Sequence, residues 1–234
     1  MKSELEFEKN YYREHMDFKD WSRYYEVFTE LIGQNSQWIL EIGSGSGVLT
    51  DLLKPNVEGF CLLDFNPKLH PDICGDVRGF YPSLSNKFDA IIALEILEHI
   101  ELKEVKGVVN NFYKYLKFDG CVFVTVPHRN PFISFISVFN TWNQKTIVIP
   151  RIRNLGNKKP NDIYHKWEIG YGAKTKDLIN IFESCGFKIL KYKQIPYHDY
   201  SGIRSSRTCQ LALQRAPQKL SAQQAGAGDT VLGA

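Results

Sequence analysis

The stretch WILEIGSGSGVLTDLL, residues 38–53, decides the fold. It opens as an apolar run, passes through three alternating glycines, Gly43, Gly45 and Gly47, and resumes with Val48, Leu49, Leu52 and Leu53 at helical spacing. A strand, a glycine turn and a helix in that order bring backbone N–H groups and a helix N-terminus to one point, where an anion or carboxylate can be received. A phosphate, a dinucleotide and a sulfonium cofactor all use such turns, and each asks for different neighbours. A P-loop needs GxxxxGK[ST], and no Lys-Ser or Lys-Thr follows Gly47. A dinucleotide fingerprint needs GxGxxG; here the third glycine comes one residue early and Val48 stands in its place. What the chain carries is Glu41-Ile42-Gly43-Ser44-Gly45-Ser46-Gly47.

Outward from this turn, apolar runs and helical patterns alternate. Gly59–Asp64 (GFCLLD) predicts a second strand ending on an acid, and residues 72–74 a weak third. Phe88–Leu94 (FDAIIAL) predicts a fourth, and residues 120–126 (GCVFVTV), closed by Pro127, a fifth. Val105, Val108, Val109, Phe112 and Leu116 mark one face of a helix over 102–117. Phe18, Trp21, Tyr25, Phe28 and Ile32 predict a single amphipathic helix over 10–33 that stops at Gly33. Thr175 reads as an N-cap, with Leu178, Phe182 and Cys185 as a core stripe and Gly186 as the stop. Residues 187–195 and 208–213 read as final strands. The expected class is α/β: a Rossmann-like, mostly parallel seven-stranded sheet with helices on both faces. Ligands of such sheets lie at the carboxyl ends of the strands, where the glycines, Asp64, Asp76 and Glu95 fall.

The expected domains are an N-terminal helical segment over 1–35, the α/β domain over 36–215, and a tail over 216–234 that is disordered or foreign to the natural chain. Residues 131–166 (PFISFISVFNTW, then IPRIRNLGNKKP) are too long for a connection and read as a lid-like insert. With 234 residues, 43% hydrophobic and 24% charged, the composition is that of a soluble globular domain. A formal charge of +3 does not by itself point to nucleic acid. Five cysteines without a CxxC pair read as buried free thiols in a reducing compartment. The polar start and the lack of any apolar run of membrane length make the expected location cytoplasmic.

Taken in order, Glu41 with its glycines, Asp64, Gly75-Asp76, FDAIIALEILEHI and YLKFDGCVFVTVP resemble the motifs of class I S-adenosylmethionine-dependent methyltransferases. The resemblance covers residues 36–130 well, 165–195 more loosely, and the first helix only by position. It implies that Glu41, Gly43, Gly45 and Gly47 hold the methionine end of the cofactor, that Asp64 takes the ribose, and that Asp76 lies near the adenine. Leu94 and Glu95 would then pass beside the sulfonium. The chemistry agrees: the cofactor carboxylate meets backbone N–H groups, while its sulfonium and ammonium favour acids and carbonyls. Methyl transfer is an in-line displacement, so positioning supplies much of its rate.

The spacing in EILEHI predicts Glu95, Glu98 and His99 on one helical face. Two readings stand. In one, Glu95 is a cofactor-side acid, Glu98 a helix-start carboxylate and His99 a packed histidine, with His99 or His165 as general base. In the other, these residues share Mg2+ or Mn2+, with water and substrate oxygens completing the shell. ExxEH resembles the metal motif of small-RNA terminal 2′-O-methyltransferases and of ubiquinone-pathway catechol O-methyltransferases. The RNA enzymes add a histidine from a His-Lys-aromatic-Glu segment, and His165-Lys166-Trp167-Glu168 stands at the comparable place. The resemblance therefore implies Glu95, Glu98, His99 and His165 as ligands, and Glu95, His99 and His165 as the catalytic set. His128, in TVPHRNP, is expected near the substrate mouth, with a solvent-exposed loop residue as the simpler reading.

The expected function is methyl transfer to an oxygen of a small-molecule or lipid-like acceptor. No [DN]PP[YF] motif of amino-methylating enzymes follows the fourth strand, where this chain has Leu94-Glu95-Ile96-Leu97. The alternatives are metal-dependent methylation of an RNA ribose 2′ oxygen, and a nucleotide-binding Rossmann protein without methyl transfer. Arg151, Arg153, Lys158 and Lys159 behind the apolar part of the insert allow peripheral membrane contact. Nucleic acid ranks below a small molecule as partner, because no RNA-binding module is visible.

Overall fold

The computed structural model describes residues 7–16, 18–128, 134–140, 145–151, 164–196 and 207–215. In chain order these form α1 (Lys9–Glu14), α2 (Phe18–Gly33), β1 (Trp38–Ile42), α3 (Val48–Leu53), β2 (Gly59–Asp64), β3 (Ile73–Cys74), β4 (Phe88–Leu94), α4 (Leu102–Tyr115) and β5 (Leu116–His128). There follow β6 (Ser134–Asn140), β7 (Lys145–Arg151), β8 (Glu168–Ile169), β9 (Gly172–Ala173), α5 (Thr175–Ser184), β10 (Phe187–Pro196) and β11 (Arg207–Arg215).

Strand β1 is covered on both faces. Ile39 packs with Val27 and Leu31 of α2 and Leu49 and Leu53 of α3, while Leu40 and Ile42 join the cluster made by α4 and α5. β4 divides the same way, Ala90 and Ile92 to one side, Ile91 and Ala93 to the other. Side chains alternate along a strand, so a strand covered twice needs apolar residues at successive positions. That is why these runs are continuous in the sequence.

The sheet order is β10-β11-β5-β4-β1-β2-β3. β3, β2, β1, β4 and β5 are parallel, and β11 lies antiparallel between β5 and β10. The chain leaves β1 toward β2 and β3, then crosses back to place β4 on the other side of β1. The crevice of such a reversal opens at the carboxyl ends of β1 and β4.

Several expectations change. Among the described residues the sheet has nine strands where seven were expected: seven lie on the path above, and the short β8 and β9 attach beside β5. Residues 10–33 form two helices, not one, because the chain leaves helical geometry at His15 (φ −101°, ψ 3°). In α2 the expected core stripe is displaced. Trp21, Tyr25 and Ile32 are 52%, 69% and 45% exposed, and Arg23, Val27 and Leu31 are buried instead. The Arg23 guanidinium meets two carboxylates on that side, Asp20 at 2.5 Å and Glu95 at 3.5 Å, and Val27 and Leu31 follow it at multiples of four.

Smaller shifts occur elsewhere. α5 starts one residue early, with Lys174 as N-cap and Asp177 accepting its N–H at 2.8 Å. α4 stops at Tyr115, and β5 runs through Pro127 to His128. Cys74 is exposed rather than buried. Within 131–166, β6 and β7 pair as a separate antiparallel two-stranded sheet. The tail 216–234 lies outside the described residues. Among the described residues no helix is long and apolar enough to cross a membrane.

Candidate active site

The three glycines after β1 all take positive φ: +74° at Gly43, +48° at Gly45 and +69° at Gly47. Its positive φ favours glycine at Gly43, and a Cβ there would lie 2.1 Å from Ile96 Cδ1 and push that side chain aside. Gly47 N-caps α3 without a side-chain hydrogen bond, leaving the first helical N–H groups at the turn to other partners. Glu41 is 4% exposed and accepts a hydrogen bond from the Thr50 hydroxyl. Burial pushes its carboxyl up to about 8, against the opposing pull of Thr50 and Lys9.

Asp64, at the end of β2, ties that strand to the turn. Its oxygens accept the backbone N–H groups of Asn66 at 2.8 Å and Ser44 at 3.1 Å. Burial raises its pKa and these bonds oppose the rise. Asp76 sits after β3 and is held below the usual carboxylate range by hydrogen bonding to Arg78, whose Nη2 lies 2.6 Å away. Glu41, Gly43, Gly45, Asp64, Asp76, Leu94 and Glu95 line one cavity of about 630 Å³, a size usual for small-molecule and cofactor sites. Gly47 completes the turn but is not part of that lining.

The EILEHI segment is not helical as expected. Glu95 adopts φ +55°, with its N–H shared between the carbonyl (3.0 Å) and hydroxyl (3.1 Å) oxygens of Thr125. Leu97–His99 is then a single 3-10 turn. The consequence is a division of labour. Glu98, His99 and His165 offer donor atoms within 4.8 Å of one another. Glu95 is outside that group and faces Arg23, because its left-handed backbone breaks the helical register that would have aligned it with Glu98. Glu98 is fully buried, and neither of its carboxylate oxygens has a hydrogen bond among the described residues. Burial, reinforced by the charge of Glu95, holds its pKa well above the ordinary range.

His165 is brought to this turn by its own neighbours. Lys166 donates its N–H to Glu98 O at 2.7 Å, and buried Trp167 donates from Nε1 to Ile100 O at 2.9 Å. His165 Nδ1 lies 3.0 Å from Glu168 Oε1, and Nε2 lies 4.0 Å from Glu98 Oε1. Its ring stands edge-on to His99, with centroids 5.0 Å apart. A carboxylate that accepts from Nδ1 leaves Nε2 with its lone pair on the side of Glu98. Glu168, three residues further along the same segment, thus orients His165. Arg23 and Tyr24 of α2 and Phe65 also line the cavity. Phe65 was findable as the residue right after Asp64; Arg23 and Tyr24 carried no motif. His128 ends β5, and its side chain lies outside the described residues.

The fold is Rossmann-like, and its cavity opens at the switch point of the sheet. A family model described as a methyltransferase domain matches residues 12–192. The chain belongs to this family, and with it to the class I S-adenosylmethionine-dependent methyltransferases. Solved structures share the fold. The N-methyltransferase NodS from Bradyrhizobium japonicum, in complex with S-adenosylhomocysteine, is 14% identical at a TM-score of 0.59, covering 91% of this chain and 94% of its own. The 1,6-didemethyltoxoflavin-N1-methyltransferase from Burkholderia thailandensis is 12% identical at 0.56, covering 88% and 84%. An S-adenosylmethionine-dependent methyltransferase from Clostridium acetobutylicum is 13% identical at 0.54, covering 88% and 94%. No curated protein sequence matches the chain.

Proposed function

We propose that the chain methylates an oxygen of a small-molecule or lipid-like acceptor, bound at the end of the cavity lined by Glu95, His99 and His165. The observation that carries this reading is the convergence of His99 and His165, backed by Glu98 and Glu168, beside the cofactor cavity. A neutral amine attacks a methyl group without first losing a proton. A hydroxyl must shed one as it attacks, so a base or Lewis acid at the acceptor is what O-methylation needs. Two of the solved relatives are N-methyltransferases; the histidine cluster is what favours oxygen in this chain. In this reading Glu41, the glycine turn, Asp64 and Asp76 hold the cofactor, Leu94 and Glu95 flank its sulfonium, and 131–166 covers the acceptor.

Glu98, His99 and His165 also suit a divalent ion. A fully buried carboxylate without hydrogen bonds is costly unless a proton or cation meets it. One carboxylate with two imidazoles is a donor set suited to Mn2+ more than to Mg2+. These three residues would hold the ion, which when bound lowers the pKa of an acceptor hydroxyl. Whether or not the ion is present, Glu168 fixes the His165 tautomer and Arg23 keeps Glu95 on the cofactor side. The rival route needs no ion: in it His165 Nε2 takes the acceptor proton.

The test is turnover with methyl-labelled cofactor on phenols, sugars, small metabolites and RNA termini, with the modified atom located by mass spectrometry. The expected product carries its methyl on oxygen, and His165→Ala fails to form it. Methylation of nitrogen alone refutes the reading.

A further inference from the structure

The insert holds a second sheet that shares no strand with the first. β6 and β7 pair antiparallel in an unbroken register, from Ser134↔Arg151 at one end to Asn140↔Lys145 at the other. A two-stranded sheet standing alone in water is marginally stable, so its faces need a cover. Residues paired across the ladder share a face, and faces alternate along each strand. Ile136 with Ile149 and Val138 with Ile147 therefore form an aliphatic square on one face, with Arg151 beyond one end of it and Lys145 beyond the other. Phe135, Phe139, Val148 and Pro150 fall on the opposite face. Both faces are mostly apolar, and packing on the rest of the chain covers one and leaves the other.

Charge selects the cover of the second face. The chain carries 29 Lys and Arg against 26 Asp and Glu, yet residues 120–161 hold Arg129, Lys145, Arg151, Arg153, Lys158 and Lys159 with no Asp or Glu among them. The remainder of the chain is net acidic, so the positive excess of the whole protein lies in the stretch that contains the hairpin. Lys145 and Arg151 stand roughly 20 Å apart along β7, with the aliphatic square between them. A nucleic acid asks for cations spaced along its phosphates and for rings against its bases, and the face that carries the cations has aliphatic residues between them instead. An anionic bilayer takes apolar groups below its headgroups and cations level with them.

We propose that the face formed by Ile136, Val138, Ile147 and Ile149 docks this protein on an anionic phospholipid bilayer, with Lys145 and Arg151 at headgroup level. The docking does not depend on which atom accepts the methyl group. Joined to the reading above, it brings the enzyme to the surface that holds a lipid-like acceptor.

The full chain is floated with vesicles of phosphatidylcholine containing about 30% phosphatidylglycerol, and with phosphatidylcholine alone, at about 0.1 M salt. It should float with the anionic vesicles only. Lys145→Gln combined with Arg151→Gln should weaken partitioning about 25-fold, since each cation near an anionic surface contributes about fivefold. Ile147→Asp should abolish flotation, and the Tm of both variants should stay at that of the wild type. Ile147→Trp should gain an emission quenched by brominated phospholipid, and Val148→Trp, on the opposite face, should not. Absence of flotation of the wild type, or partitioning of the double variant within twofold of it, overturns the proposal. Equal quenching of the two tryptophans overturns the choice of face. Binding of an RNA oligonucleotide, or a dimer that Ile147→Asp dissociates, in a protein that ignores the vesicles also overturns the proposal.

Discussion

Cofactor binding at neutral pH should release a proton, and Glu41 should be its source. Glu41 is buried at the cavity wall, and burial pushes its carboxyl up to about 8. At pH 7 a group with that pKa is about nine tenths protonated. The ammonium of the cofactor's methionine end favours the ionised form. If that charge returns the carboxyl to its ordinary range, each S-adenosylhomocysteine bound at pH 7 releases about 0.9 proton, and at pH 9 only about 0.1. Calorimetry in phosphate and in Tris at the same pH reads this directly, because the difference in observed enthalpy scales with the protons handed to buffer. The same shift sets a pH dependence of stability. A folded pKa raised above the ordinary glutamate value of 4.5 means that Glu41 stabilises fully below about pH 4.5, and that this contribution is lost as pH rises through 8. The cofactor-free protein should therefore weaken between pH 5 and 8, by on the order of 4 kcal/mol at most from this group. Glu41→Gln keeps an acceptor for Thr50 and should abolish both effects. Equal enthalpies in the two buffers at pH 7 for the binding-competent wild type, or an unchanged proton release in Glu41→Gln, would refute the reasoning.

Three further outcomes are expected. Asp64→Ala should weaken S-adenosylhomocysteine binding about 10- to 100-fold, the loss of charge-assisted hydrogen bonds to the ribose; a Kd within twofold of the wild type contradicts the assignment. EDTA should abolish activity and Mn2+ restore it, while Glu98→Ala and His165→Ala lose Mn2+ in calorimetry but keep cofactor affinity. Full activity in chelator leaves only the general-base route. Gly43→Ala should cost about 1–2 kcal/mol for its positive φ plus the clash with Ile96. Its Tm should fall by several degrees and recover in part when Ile96 is also cut to Ala; a Tm equal to the wild type contradicts the packing argument.

Local demands were legible in the sequence. Positive φ at Gly43, Gly45 and Gly47 excludes most side chains, and double-sided burial makes β1 and β4 continuous apolar runs; both constraints act within a few residues. They were enough for the turn, the parallel strands and a set of residues that line one cavity. Choices between equivalent local patterns were not legible. α2 offers apolar residues on more than one face, and Arg23 meeting Glu95, just past the end of β4, decides which turns inward. EILEHI has helical spacing, but Thr125 of β5 holds Glu95 in a left-handed conformation and so splits the expected ligand set. The arrival of His165 was anticipated from its motif. The anchoring of Lys166 on Glu98 required the fold, since hydrogen bonds between segments far apart in the chain leave no periodic trace in either one.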